Sequence, residues 1–491
     1  MRAARIIGHP AFTAATTLAV GFAALGLLLA LVVALAREQR AEVDVGNVVV
    51  WTAMAIAIAT PIARRIAQRR RTDPFEPLTL ATAAFIVLFL GRTAYDIATG
   101  NLSFAGGFDV SSAYRDALLA ALVAIIGFEL GYGLPFARAG ARRLPALAQR
   151  PGDALLIGAG LALTLVAGIA LGARAAVAGG FETLFLNRGE GSLDLGGVPF
   201  ISESVVITIP AVLLLWSVSR RARLLGTLIS AVPAAIILVA SVPSGDRRYI
   251  LQALFAAGVY LFIRADRRPS ARAIGVAALA ALFLVVTPLR AARSGDVDYW
   301  QSVTQALSDP AASVSELFQS GDTEMVDTVA FLIQNVGAGH DIDWQYGMSF
   351  LTETVLQPVP RELWPDKPKP IRTQIIEANW GMTNGRCVSI CPTFSVLGSL
   401  YADLGLVSVA LGSLAIGFAF RAWYEYFALH RRSTLIRAAY APTVFVAFYV
   451  WWSSLSVLVL AAGLFIAPIV LIALFARPAA ATSRVRLAMP A

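Results

Sequence analysis

The sequence is short of what a soluble protein keeps on its surface. Only 14% of its 491 residues are charged, against about 25% in ordinary globular domains. Lysine occurs twice, at Lys367 and Lys369, and every other basic residue is arginine. Two cysteines, Cys387 and Cys391, are too few for a disulfide framework or a cysteine-rich metal centre. Histidine occurs three times. There is no Walker motif, no GxGxxG on a strand–helix unit and no HExxH, so nothing points to nucleotide binding or to a zinc peptidase. Nucleic-acid-binding modules are absent as well.

Apolar length is what the chain has in abundance. It is 57% hydrophobic with mean hydropathy +0.70, and its apolar runs reach about 20 residues, enough to cross a bilayer core of about 30 Å. The runs are continuous, whereas barrel strands are short and alternating. The reading is an all-α polytopic membrane protein with about 12 transmembrane helices. The expected spans are 11–36, 46–63, 77–95, 113–135, 153–174, 199–219, 224–243, 249–264, 273–290, 394–420, 438–453 and 456–476. The run from Ala11 to Ala36 is too long for a signal peptide and reads as an uncleaved first span.

The net charge of +9 follows from arginine-rich segments at 64–71, 138–143, 220–223, 264–272 and 430–437. They fall on alternate loops, which makes that side cytoplasmic and puts both termini inside. The opposite side is then extracytoplasmic. Three regions follow: spans 1–9 over residues 1–290, a large extracytoplasmic loop over 291–393, and spans 10–12 with the tail over 394–491.

The loop carries Trp300, Trp344, Trp364 and Trp380, too much apolar surface for disorder. Its patterning predicts short helices: one from residue 298 broken near Pro310, one ending at Gly337 and Gly339, and one from 347 stopped by proline. Thirteen acids in the loop face six basic residues, four of which crowd into 361–372. A cationic cluster in an acidic outside loop suggests an anionic ligand.

Three constellations could carry chemistry. "SGDRRYIL" places Arg247 and Arg248 at the outer boundary of a span, where guanidinium forks suit phosphate oxygens. Snorkelling to lipid headgroups would place them there too. "VPRELWPDKPKP" is stiffened by four prolines, with Pro358 just before it, and aligns Arg361, Lys367, Lys369 and, just beyond, Arg372 as a possible anion wall. A proline-stabilised surface loop reads the same. "NGRCVSICPTFSVLGSLYADLG" holds Cys387 and Cys391, which either pair across a turn or stay reduced. It also holds Tyr401 and Asp403, of which one at most faces a site. Arg188, Arg290 and Arg293 could join the same pocket. His340 with Asp341 and Asp343 reads as a helix cap rather than a metal site, and no metal or other cofactor is expected.

Taken together, "GGFETLFLNRGEG", "SGDRRYIL", "YGMSFLTETVLQPVPRELWPDKP" and "PTFSVLGSLYADLGLVSVALGSLAIG" resemble the bacterial oligosaccharide repeat-unit polymerases, the O-antigen polymerase-like family. The resemblance covers about residues 180 to 420. Its most specific part is "PRELWPDKP" followed by Gly398, Tyr401 and Gly405. It implies polymerisation of polyprenyl-diphosphate-linked oligosaccharides at the outer face, one lipid-linked glycan as donor and another as acceptor. Partners would include membrane lipids, a flippase and a chain-length regulator. Arg248 and Arg361 are the first candidates for diphosphate contacts, with Arg247, Lys367 and Arg188 next. Where related ligases carry a histidine at the head of the return helix this chain has "PTFS", which leaves the base open among Asp403, Glu353 and solvent. Alternatives are an O-antigen ligase-like enzyme, another lipid-linked glycosyltransferase (Glu38, Glu42 and Asp44 lie in the first outside loop), and a transporter or flippase.

Overall fold

The computed structural model describes residues 44–68, 73–104, 107–145, 151–177, 179–181, 203–241, 247–288, 299–310, 313, 323–340, 342–356, 359, 363–383, 386–387 and 394–476. The helices there are α1 (Val45–Ala67), α2 (Pro77–Thr99), α3 (Ser111–Gly133), α4 (Phe136–Arg143), α5 (Asp153–Val177), α6 (Ser204–Trp216), α7 (Arg223–Ser241), α8 (Arg247–Arg264) and α9 (Arg272–Val286). Four short helices follow: α10 (Tyr299–Ser308), α11 (Met325–Asn335), α12 (Met348–Glu353) and α13 (Ile371–Asn379). Last come α14 (Val396–Leu404), α15 (Leu406–Leu429), α16 (Thr434–Trp452) and α17 (Ser456–Phe475). Two hairpins of paired dipeptides, β1 (Ser103–Phe104) with β2 (Phe108–Asp109) and β3 (Met382–Thr383) with β4 (Arg386–Cys387), complete the description.

The chain is thus an all-helical membrane protein. Among the described residues, eight helices are long and apolar enough to span: α1, α2, α3, α5, α7, α15, α16 and α17. The expected span at 11–36 lies outside the described residues. Helices α6 and α9 are apolar but shorter, and α8 opens with Arg247 and Arg248 and closes with Arg264. The expected span at 394–420 is corrected. It breaks at Gly405, whose φ of 63° is left-handed, and the spanning helix begins only at Leu406. An apolar run hides such a break, because Gly405 is an unremarkable letter among leucines and valines.

Close backbone approach holds the centre together. In α3, a Cβ on Gly131 would lie 2.0 Å from the Leu414 carbonyl oxygen of α15, and one on Gly417 would lie 2.1 Å from the Phe128 oxygen of α3. Small residues permit this in membranes, where dispersion and weak polar contacts rather than water exclusion drive helix association. Around the seam Phe85, Phe89, Phe128 and Trp451 interlock, with ring centroids 4.8 to 6.2 Å apart. Away from it, Leu161, Leu165 and Ile169 on α5 and Leu224, Leu228 and Val232 on α7 point outward, as a lipid-facing surface requires.

The two ends of the bundle differ in chemistry. At one end the arginine-rich segments converge on residues 73–76. Arg268 grips Asp73 at 2.8 Å through two nitrogens, and Glu76 accepts from Arg65 at 2.7 Å and from Tyr132 at 2.8 Å. At the other end the segment between α9 and α15 folds onto the bundle. Helix α11 lies on α3, with Gln334 donating to Ser112 at 2.8 Å.

Arg92, near the end of α2, holds that join. Its Nε lies 2.9 Å from Asp96 and 3.3 Å from Asp327 of α11, with Glu324 at 3.9 Å from a terminal nitrogen. Tyr114 of α3 donates to Asp96 at 3.1 Å. Arg92, Asp96 and Asp327 are all buried. A buried pair is costly to form, but breaking it by removing one partner costs about 3–5 kcal/mol.

Replacing Gly131 by alanine should therefore lower the thermal midpoint of the purified protein, since overpacking a tight site costs about 1–3 kcal/mol. Gly133→Ala, where a Cβ meets nothing within 4 Å, should leave the midpoint unchanged. Paired thermal melts of the two variants check this.

Candidate functional site

The end of the bundle that carries the long segment also carries a cleft. Its walls come from α8, α16 and α17 and from the residues that open α6. Phe445, Val446, Val457, Leu460, Leu464 and Phe465 make it apolar over most of its area. Glu203, Arg248 and Gln252 line it with charged and amide groups, beside the phenols Tyr249 and Tyr449. Leu464 and Phe465 sit in a π-helical turn, Ala462–Ile466, that interrupts α17. Such turns are rare and often mark functional sites.

Arg248 is the second residue of α8, so its guanidinium adds to the positive end of the helix dipole. One terminal nitrogen donates to the Tyr449 hydroxyl at 3.2 Å, and the other lies 3.5 Å from Glu203. The guanidinium also lies 5.1 Å from the Tyr249 ring. Arg248 is about 29% exposed at its side chain and Glu203 about 21%, which leaves both able to meet a ligand entering the cleft. A guanidinium at the head of a greasy cleft suits a molecule with an anionic head and an apolar tail.

The other expected site residues are spread over the long segment or fall outside what is described. Arg188, Arg290, Arg293, Arg361 and Cys391 lie outside the described residues. Arg247 opens α8 and Cys387 closes β4. Lys367 is buried and donates to the Val359 carbonyl at 2.9 Å. Lys369 pairs with both oxygens of Glu377, at 2.8 and 2.7 Å. Tyr401 packs its ring 5.8 Å from that of Trp344, and burial, aided by the charge of Asp116, raises its hydroxyl pKa. The side chains of Lys367, Lys369 and Tyr401 stand apart from the residues that line the cleft.

Asp403 has a clear task. One oxygen accepts from the N–H groups of Gly347 at 3.1 Å and Ser349 at 2.9 Å, and the other from Phe350 at 3.2 Å. The carboxylate thereby satisfies the open N-terminus of α12 from a different helix. Asp403 lies on α14, ahead of the Gly405 break and of the helix long enough to span.

Glu353, at the end of α12, is buried too. Its oxygens accept from the Ser399 hydroxyl at 2.9 Å and the Leu455 N–H at 3.2 Å. Leu455 stands at the turn that leads into α17, one wall of the cleft. Burial pushes Glu353 up to about 7, with Asp403 adding to the rise and its two hydrogen bonds and Arg372 opposing it.

Sequence reasoning found Arg248 and missed its partners. Glu203 reads as an acid just ahead of an apolar run, and Tyr449 as one more aromatic at a span end. Arg92 carried a usable signal, since an arginine inside an expected span with an acid four residues on marks a buried partner. Among the described residues no group of histidine, cysteine, aspartate and glutamate could hold a metal ion. His340 is exposed, with Nδ1 2.8 Å from the Gln334 carbonyl. Compared with protein-family models, curated proteins and solved structures, the chain has no match.

The raised Glu353 carboxyl sets a sign for stability. A carboxyl whose folded pKa lies above its usual 4.5 favours the fold when protonated. Its contribution is full below about 4.5 and lost as pH rises through about 7. Burial raises Asp327 too, with the charge of Arg92 opposing the rise. Thermal midpoints should fall across that window, and Glu353→Gln should flatten part of the slope. A variant whose slope equals that of the wild type refutes the assignment.

Proposed function

We propose that this protein polymerises oligosaccharide repeat units carried on polyprenyl diphosphate, at the outer face of a bacterial cytoplasmic membrane. The observation that carries the reading is the Arg248 cleft: one guanidinium at a helix head, set in walls of aliphatic and aromatic side chains. A polyprenyl diphosphate has the matching anatomy, a diphosphate head on a long hydrocarbon. The end of the bundle away from the arginine-rich loops is the outer one if positive charge stays inside.

In this reading an acceptor sugar hydroxyl attacks the anomeric carbon of the donor glycan. The new C–O bond forms as the bond to the diphosphate breaks, and polyprenyl diphosphate leaves with the electron pair. Negative charge grows on the leaving oxygen, where a preorganised guanidinium acts most strongly. The acceptor proton needs a base. Glu203 is the carboxylate lining the cleft among the described residues. Glu353 and Asp403 do not line the cleft, so Glu203 takes the role left open by the sequence.

The test is reconstitution of the full chain in liposomes with a lipid-diphosphate oligosaccharide. The product should be a ladder of chain lengths. Arg248→Ala should slow it on the order of a hundredfold, and Arg248→Lys should recover only part, because the bidentate fork is lost. Glu203→Gln should lower kcat more than it changes KM. A ladder made equally well by Arg248→Ala overturns the site. A single transfer to another acceptor replaces polymerase by ligase. Movement of the lipid across the bilayer without extension replaces it by flippase.

A further inference from the structure

Tyr346 is an oddity of backbone and exposure at once. Its φ of 49° is left-handed, a region where a side chain with a Cβ costs about 1–2 kcal/mol. Glycine or asparagine is the usual choice there. Gly347 follows at φ 89°, so two successive residues are left-handed. The ring is nonetheless 72% exposed, so no burial compensates for the strain.

The turn is held in this shape from outside. The Gln345 N–H donates to the Ala402 carbonyl at 2.9 Å and the Tyr346 N–H to the Asp403 carbonyl at 3.1 Å. The three N–H groups held by the Asp403 carboxylate follow directly in Gly347, Ser349 and Phe350. Strain of this kind persists only where the surroundings over-determine it, and it concentrates at ligand-contacting positions.

The residues beside this turn have a consistent chemistry. Trp344, two residues earlier, is half-buried beside Tyr401 and lies over the open faces of Gly337 and Gly405. The Gln345 side-chain oxygen accepts from the Gln374 amide at 3.2 Å. The Gln345 amide nitrogen is tied to the Asp343 carbonyl at 2.9 Å. Fixed rings beside oriented amides match a ligand with C–H faces and hydroxyl edges. Tyr346 itself adds a flat face and a hydroxyl at low cost in rotamer freedom.

We propose that Tyr346, with the flanking Trp344–Tyr401 pair and the Gln345–Gln374 amides, is a saccharide-binding platform on which a sugar ring stacks against Tyr346. The proposal deepens the glycan reading above and rests on it for the sugar's role as substrate. It differs from an aromatic membrane anchor, which needs an exposed ring but no left-handed backbone under it.

The purified full chain, applied to an array of free bacterial oligosaccharides, tests the platform apart from the diphosphate cleft. Wild type should bind a subset. Tyr346→Phe should retain binding, and Tyr346→Ala should weaken it about tenfold. Tyr346→Asn, which relieves the backbone, should melt at or above the wild-type temperature while binding as poorly as the alanine variant. Arg248→Ala should bind as wild type does, because a free oligosaccharide has no diphosphate. Binding that survives when the Arg248 variant still makes a full ladder leaves the platform standing and the cleft assignment fallen. A wild type that binds no oligosaccharide, or a Tyr346→Ala variant that binds equally, overturns the platform. So does a Tyr346→Ala loss confined to association with anionic vesicles.

Discussion

A hundred residues of acidic, partly apolar chain have to be held against the end of a membrane bundle, and buried carboxylates do the holding. Asp327 reaches down to Arg92, Glu353 bridges Ser399 and the Leu455 N–H, and Asp403 reaches from α14 to the turn before α12. Each joins elements far apart in sequence. In an environment with little water, an anion finds its compensation in a few fixed donors or not at all. Position along the segment is thereby set at three points. The cleft inherits that rigidity, because the turn pinned by Glu353 leads directly into its α17 wall.

The arrangement separates two uses of charge that look alike in a string of letters. The basic cluster of 361–372 reads as one anion wall, yet Lys367 is spent on a backbone carbonyl and Lys369 on Glu377. The start of α8 places the Arg248 guanidinium in the lining of the cleft. Closeness in sequence does not fix what a cation binds: two lysines separated by one residue take a carbonyl and a carboxylate as partners.

Much of the membrane architecture was legible, because a spanning helix declares itself by apolar length alone. Helices α1, α2, α3, α5, α7, α16 and α17 fall within a few residues of the expected spans. The short helices α10, α11 and α12 were legible too, from Pro310, Gly337 and Gly339. The break at Gly405 was not, since hydropathy has no term for φ. Nor was the function of Asp403, whose donors come from residues 347–350, more than fifty positions earlier. Of the site, Arg248 stood out because it violates the charge bias. Glu203 and Tyr449 did not, since each is ordinary for a span end until the fold sets them beside the arginine.

The π-helical turn in α2, Phe85–Gly91, ends immediately before Arg92. A turn of this kind accommodates one more residue than an α-helix needs to advance the same distance. Each α-helical residue turns the chain by about 100°. Straightening the turn into regular α-helix with no residue deleted would swing Arg92 by roughly that angle, away from Asp327. The reading frame of one membrane helix is in this way tied to the docking of a segment more than two hundred residues downstream.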